Sequence, residues 1–191
     1  MSDNPLIRRI EAILFTRDTA ISLENLAKAL GVSVDEVAVS MLELKQDYES
    51  RAMEVKQVAS GWRLQLREEY HQDIIALTDA QPTRYSRAFW ETLAFIAYHQ
   101  PVTRAQIDQV RGVSTSSGVY KQLFDLDWIE VIGQKETVGR PDLLATTKRF
   151  LDDFSLKSPL DLPPLSNPQL TAPEPSSDNL FAPPEPETPS S

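Results

Sequence analysis

Apolar positions in the first part of the chain follow the period of amphipathic helices. A first helix is predicted by an apolar stripe opposite Arg8, Arg9 and Glu11; the stripe consists of Leu6, Ile7, Ile10, Ile13 and Leu14. A second, shorter helix is predicted over residues 22–30, and Gly31 ends it. Its inward positions are Leu23, Leu26, Ala27 and Leu30.

A third helix and a pair of strands follow. Ser33 and Glu36 are spaced as a capping box, which predicts a helix start. The inward positions of this helix are Val34, Val37, Met41, Leu44 and Tyr48. Apolar and polar residues then alternate on both sides of Ser60-Gly61, which predicts a hairpin with a tight turn. Three helices and a hairpin make the winged-helix plan, a variant of helix-turn-helix.

The same order of elements recurs farther along the chain at a constant offset. Ile21 corresponds to Val102, Ser22 to Thr103 and Gly31 to Gly112. In this second copy Ser86 begins the first helix, Thr103 and Gln106 form a capping box, and Val119, Leu123 and Leu126 mark the third helix. Strands are predicted over 128–134 and 143–146, and a closing helix from Lys148 is expected to bury Phe150, Leu151 and Phe154.

We therefore predict a mainly α protein with small β-hairpins, an α+β fold of two tandem winged-helix domains followed by a disordered tail. The predicted bounds are 1–80, 83–165 and 166–191. Ten of the fourteen prolines lie in residues 159–191, which also carry five acidic residues and no lysine or arginine. Such a composition buries too little apolar surface to offset the entropy of ordering. Leu180-Phe181 in this tail is either a short docking motif or an incidental pair.

Charge argues against DNA recognition by the third helices. Residues 33–51 carry five acidic residues against Lys45 and Arg51, and residues 114–127 carry Lys121 against Asp125 and Asp127. Phosphate contacts supply most of the affinity of a DNA-binding protein, so an acidic helix would repel the duplex. A winged-helix DNA-binding transcriptional regulator is nevertheless the alternative function. A set of basic residues gathers in the second copy, where they either make a weak contact with DNA or an acidic partner or are solvated or locally paired: Arg84, Arg87, Arg104, Arg111, Lys135 and Arg140.

Composition leaves little for catalysis or metal binding. The chain has no cysteine and only two histidines, His71 and His99. The run at 112–118 resembles a phosphate loop faintly, but Val119-Tyr120 stands where a Lys-Ser/Thr pair would be required. We expect no enzyme activity, no cofactor and no metal. The polar start of the chain and the lack of a long apolar run predict a cytoplasmic protein without a signal peptide or membrane span.

One family accounts for several of these runs. The chain resembles the bacterial segregation and condensation protein B family over about residues 6–165. The resemblance is carried in the second copy by the runs at 86–88, 91–94, 96–98, 100–104, 111–113, 118–119, 129–133 and 139–141, by Ile107, and by 156–158 and 161–165. In the first copy the runs at 10–15, 26–27 and 61–64 are more generic, and Phe89-Trp90, His99 and residues 114–117 depart from the family's pattern.

The resemblance implies a non-enzymatic subunit of a condensin-like complex. Members of the family form homodimers, largely through the N-terminal winged helix, and bind the kleisin, segregation and condensation protein A. The kleisin bridges the head domains of the SMC ATPase, and the complex condenses and segregates chromosomes at the nucleoid. Direct DNA contact is expected to be at most weak and nonspecific. The expected kleisin-binding residues are Arg87, Trp90, Tyr98, Gln100, Pro101, Arg104 and Arg140. For Trp62, Trp90 and Trp128, core packing and partner contact both remain open.

Overall fold

Two hydrophobic cores organise the computed structural model, which describes residues 4–77 and 84–164. The first core is formed by residues between Ile7 and Trp62, and the second by residues between Phe89 and Leu151. The predicted tail, 166–191, lies outside the described residues. The mixed fold of helices with two small antiparallel hairpins is confirmed.

The three helices of the first winged helix are α1 (Pro5–Phe15), α2 (Leu23–Leu30) and α3 (Val34–Asp47). Each begins at a side chain that accepts a hydrogen bond from a free backbone N–H; these caps are Asn4, Ser22 and Ser33. The capping box of Ser33 and Glu36 is confirmed. Gly31 ends α2 in the left-handed conformation, at φ 71°, which a residue with a Cβ adopts at a cost.

The predicted hairpin pairs β1 (Met53–Val58) with β2 (Gly61–Leu66) in antiparallel register. Its turn is Ala59-Ser60, one residue earlier than predicted, and Gly61 is already in β2. Ile21 adds a short third pairing by exchanging backbone hydrogen bonds with Trp62 at 2.9 and 2.8 Å. Gly61 is required there, since a Cβ would lie 2.3 Å from the Ile21 carbonyl oxygen. A 3₁₀ turn, Glu68–Tyr70, and the short exposed helix α4 (His71–Leu77) follow.

The second winged helix repeats this plan with α5 (Arg87–His99), α6 (Arg104–Arg111), α7 (Ser117–Asp125), β3 (Ile129–Gln134), β4 (Asp142–Thr146) and the closing helix α8 (Lys148–Asp153). Ser86 caps α5, and the capping box of Thr103 and Gln106 is confirmed at α6. The bridge between Val102 and Leu144 repeats the one between Ile21 and Trp62, so the structure preserves the repeat seen in the sequence.

Two predicted core residues are exposed. Val34 is the first residue of α3 and precedes the turn that faces the core, so its side chain is exposed. Phe154 was expected to be buried with Phe150 and Leu151, which are buried, but it lies just beyond α8. Its ring packs instead on the rings of Trp128 and Phe150, at centroid distances of 5.1 and 4.6 Å.

The hairpin turn of the first winged helix contacts the end of α8 in the second. The backbone N–H of Ala59 donates to the Leu156 carbonyl, and that of Ser60 donates to Asp152 Oδ1, both at 2.9 Å. Arg63 donates to the Ser155 hydroxyl at 3.0 Å, and Ala59 packs against the second core. The two winged helices therefore share a polar contact as well as a chain connection. Within residues 4–77 and 84–164, none of the helices has the length and apolarity that a membrane crossing needs.

Candidate protein-binding surfaces

The outward face of α3 is acidic and partly apolar. Asp35, Glu36 and Glu43 are exposed on it, and the pKa of Glu36 is lowered because the Ser33 hydroxyl and backbone N–H both donate to its carboxylate. Val39 and Leu42 project from the same helix with 58% and 63% of their surface exposed. A stable negative charge beside apolar side chains suits a protein partner better than the phosphates of DNA.

A shallow groove runs beside this face, between the starts of α1 and α3. Its volume is about 590 Å³, and Pro5, Leu6, Val32 and Val39 supply its apolar lining while Arg9, Asp35 and Glu36 supply charge. Apolar lining with a charged rim is the usual composition of a protein interface. The first winged helix thus offers one contiguous candidate surface on its α1–α3 side.

The N-terminal half of α5 presents an ordered ion-pair chain. Arg87 donates to Glu91 at 2.7 Å, and Arg111 of α6 reaches the same carboxylate at 3.3 Å. Hydrogen bonding from Arg87 is the main reason that the pKa of Glu91 is lowered. Arg111 also donates to the Thr115 hydroxyl at 2.6 Å, so it is fixed by two partners. Arg87 is almost fully exposed and is the member of this chain that a partner can reach.

Trp90 lies beside Arg87 and forms part of an aromatic surface. Its ring packs edge-on against Tyr85 and Phe89 and lies 6.3 Å from Trp128 and 6.4 Å from Phe154, centroid to centroid. It remains 43% exposed. Trp128 donates its indole N–H to Asp153 at 2.8 Å. The rings are thus held rigidly at the surface, which lowers the entropy cost of binding a partner.

Tyr98 and Gln100, at the other end of α5, bind within the chain. The Tyr98 hydroxyl donates to the Pro163 carbonyl at 2.6 Å and so holds the segment that follows α8. The Gln100 side-chain oxygen accepts from the Thr146 backbone N–H at 2.6 Å. His99 is the last residue of α5, with its ring 4.6 Å from that of Phe95.

Pro101, Arg104 and Arg140 are exposed in three separate places. Pro101 lies between α5 and α6. Arg104 lies over the ring of Tyr120, 4.6 Å from its centroid, where a cation–π contact holds it. Arg140 lies in the loop between β3 and β4 with φ 40°, and its backbone N–H donates to the Thr137 carbonyl at 2.9 Å.

The structure therefore brings only some of the predicted site residues together. Arg87 and Trp90 share one surface, whereas Tyr98 and Gln100 lie about 12–20 Å farther along α5, given a rise of about 1.5 Å per residue. Sequence reasoning missed Glu91 and Phe154, which complete the surface around Arg87 and Trp90. The i,i+4 spacing of Arg87 and Glu91 is a sequence signal for the role of Glu91. No local sequence pattern predicts the position of Phe154.

Comparison with known proteins by family model, by sequence and by structure points to one family. A family model described as "Segregation and condensation complex subunit ScpB" matches residues 8–165. The segregation and condensation protein B homolog of Coxiella burnetii is 42% identical over 162 residues, which cover 83% of this chain and 78% of that protein. The crystal structure of ScpB from Mycobacterium tuberculosis is 30% identical and covers 82% of this chain and 98% of that one, with a TM-score of 0.39. A solved dimer of an ScpB N-terminal domain complexed with an ScpA peptide is 28% identical. The match covers 39% of this chain and 95% of that one, with a TM-score of 0.37.

Proposed function

The chain belongs to the family of the segregation and condensation complex subunit ScpB, and we propose that it serves there as a homodimeric, kleisin-binding subunit without enzymatic activity. Membership makes it a subunit of the condensin-like complex of chromosome segregation. In the proposed complex the kleisin links this protein to the SMC ATPase, which supplies the ATP chemistry.

The observation that carries the proposal is the surface of Arg87 and Trp90. A half-exposed indole packed among other rings, beside an exposed arginine, has the composition of an interface hot spot. This surface lies on the second winged helix, the part of the chain for which we propose kleisin binding, within residues 83–165. Pro101, Arg104 and Arg140, exposed elsewhere on the same winged helix, are proposed as further contacts of the kleisin, while Tyr98 and Gln100 hold the end of α5 to neighbouring segments.

The α1–α3 side of the first winged helix is the proposed dimer face, within residues 1–80. Val39 and Leu42 are exposed there beside the groove lined by Pro5, Leu6 and Val32. Apolar side chains of this size cost free energy in water, about 25 cal/mol for each Å² of apolar surface, and a second copy would cover them. The acidic residues at the rim oppose the binding of DNA through this face.

The experiment is binding of the purified kleisin from the same genome to the full chain and to variants. Trp90→Ala is expected to weaken binding by more than tenfold, the loss typical of a hot-spot tryptophan. Leu160→Ala is the matched control, since Leu160 is an exposed apolar residue of the same winged helix. Thermal unfolding of both variants checks that the fold is intact. Equal affinities of Trp90→Ala and the wild-type chain would overturn the proposed site.

A further inference from the structure

Strand β2 has an open edge beyond its contact with Ile21. Trp62 directs its backbone N–H and carbonyl toward Ile21, and alternate residues of a strand direct their backbone groups to the same side. The backbone N–H and carbonyl groups of Leu64 and Leu66 therefore face this edge as well. Within residues 4–77 and 84–164, no backbone hydrogen bond joins either residue to a third strand.

The second winged helix closes the corresponding edge. Leu144 pairs with Val102 as Trp62 pairs with Ile21, and Thr146 stands two residues farther along β4 as Leu64 does along β2. The Thr146 N–H is satisfied by the Gln100 side chain at 2.6 Å. In the first winged helix Thr19 occupies the place of Gln100, and its hydroxyl accepts a hydrogen bond from Arg17 instead. The edge of β4 in the second winged helix is therefore closed by a side chain, whereas the corresponding edge of β2 in the first winged helix is open.

A groove of about 500 Å³ lies along the open edge. Leu14, Phe15, Leu64 and Leu66 supply its apolar wall, and Asp153 and Ser155 of the second winged helix close its far side. Arg17 and Arg63 also line it. The groove has two carboxylates, those of Asp18 and Asp153, and Asp153 already accepts hydrogen bonds from Arg149 and Trp128. The positive charges of Arg17 and Arg63 are therefore balanced within the groove only by Asp18. The groove therefore favours an extended segment with apolar and acidic side chains.

This groove continues the surface proposed for the kleisin. Phe154 lies between two groove residues, Asp153 and Ser155, and its ring packs toward Trp90 and Trp128. A segment that crosses Trp90 reaches the groove by passing Phe154. We infer that an extended segment of the kleisin enters this groove and adds to β2 as a further strand, hydrogen-bonded to Leu64 and Leu66. The inference rests on the proposed function for the identity of the partner. Strand addition of this kind draws affinity from main-chain hydrogen bonds and specificity from side-chain pockets.

Amide hydrogen exchange, resolved by residue, tests the inference on the full chain with and without the purified kleisin. The amides of Leu64 and Leu66 are expected to exchange at least about tenfold more slowly in the complex, as one gained hydrogen bond implies. The Trp62 amide is the internal control, because it already has its partner in Ile21. Unchanged exchange at Leu64 and Leu66 in a complex that does form would overturn the inference and leave the proposed function standing.

A pair of variants tests the same strand by affinity. Leu64→Pro removes the edge N–H without touching the ladder to β1, and Leu64→Ala removes the side chain but keeps that N–H. We expect Leu64→Pro to bind the kleisin roughly tenfold more weakly than Leu64→Ala at matched thermal stability. Equal affinity of the two variants would contradict strand addition. Absence of any complex with the wild-type chain would overturn the proposed function itself.

Discussion

The side chain of Gln100 holds the edge of β4. Its oxygen accepts one hydrogen bond from the Thr146 backbone N–H at 2.6 Å and a second from the Thr146 hydroxyl at 2.9 Å. Gln100 therefore joins the end of α5 to the wing of the same winged helix. This arrangement assigns a structural role to a residue that the sequence also placed among the expected partner contacts.

Replacing Gln100 by leucine should destabilise the second winged helix by about 1–3 kcal/mol. The change leaves the half-buried N–H of Thr146 without its acceptor, and an unsatisfied buried donor costs more than a lost surface contact. Urea unfolding measures the loss. Gln109→Leu is the matched control, because Gln109 is exposed on α6. A Gln100→Leu variant as stable as this control would contradict the assigned role.

Tyr48 should make stability fall at high pH. Burial, together with a hydrogen bond from its hydroxyl to the Glu11 carboxylate, raises the pKa of Tyr48 from 10.0 to about 12. The unfolded chain therefore loses this proton at a lower pH than the folded chain. The contribution of the neutral phenol to stability is complete below about pH 10 and is lost progressively as the pH rises toward 12.

The comparison of wild type with Tyr48→Phe isolates this effect. The difference in unfolding free energy between them should stay constant between about pH 7 and 9 and then shrink as the pH approaches 12, because phenylalanine has no proton to lose. Denaturant titrations at each pH measure it. A difference that stays constant over the whole range would show that folding does not shift the titration of Tyr48.

An engineered cross-link tests the contact between the two winged helices. The Ser60 backbone N–H donates to Asp152 Oδ1 at 2.9 Å, so the two residues are neighbours across this contact. The chain has no cysteine of its own, so Ser60→Cys with Asp152→Cys introduces a unique pair. A short bifunctional thiol reagent should yield a monomeric, cross-linked species, detected by mass and by mobility on a denaturing gel.

The two single-cysteine variants provide the control, since they can cross-link only between chains. A double variant that forms only interchain dimers would contradict the contact between the hairpin turn and α8.

Much of this architecture could be predicted from the sequence because its signals are local. Each of these signals depends on a few neighbouring residues: the Ser33–Glu36 capping box, Gly31 at the end of a helix, and the alternation of apolar and polar residues around Trp62. The contact of Ser60 with Asp152 joins residues far apart in the chain, so no local pattern predicts it. Phe154 is exposed, contrary to the sequence-based expectation, for a related reason: two of the rings it packs on, those of Trp90 in α5 and Trp128 just before β3, are distant in the chain.

The candidate site depends less on local sequence signals than the fold does. Arg87 and Trp90 are expected partner contacts from the family resemblance, and both are exposed on one surface. Tyr98 and Gln100 came from the same resemblance, but their polar atoms are used by Pro163 and Thr146. Residue type alone does not distinguish a side chain that meets a partner from one that satisfies its own backbone.

Arg140 should matter for binding and little for folding. Among residues 4–77 and 84–164 its side chain has no hydrogen bond or ion pair, and alanine accepts the same backbone conformation no worse than arginine does. Arg140→Ala is expected to change the unfolding free energy by less than about 0.5 kcal/mol. Its affinity for the kleisin should fall by roughly tenfold.

Lys135→Ala is the matched control, since it removes the same charge from the loop side of the same wing. An equal effect of the two variants would reduce the role of Arg140 to general electrostatics, and unfolding of Arg140→Ala would make the residue structural.

The most direct test of the central claim is the molar mass of the full chain, alone and mixed with the purified kleisin, by light scattering after size-exclusion chromatography. A chain of 21.5 kDa that forms homodimers should elute at about 43 kDa. With the kleisin it should shift to a heavier species that contains both proteins, two copies of this chain with each kleisin. A well-folded chain that stays at 21.5 kDa and elutes apart from the kleisin at micromolar concentration would contradict the account.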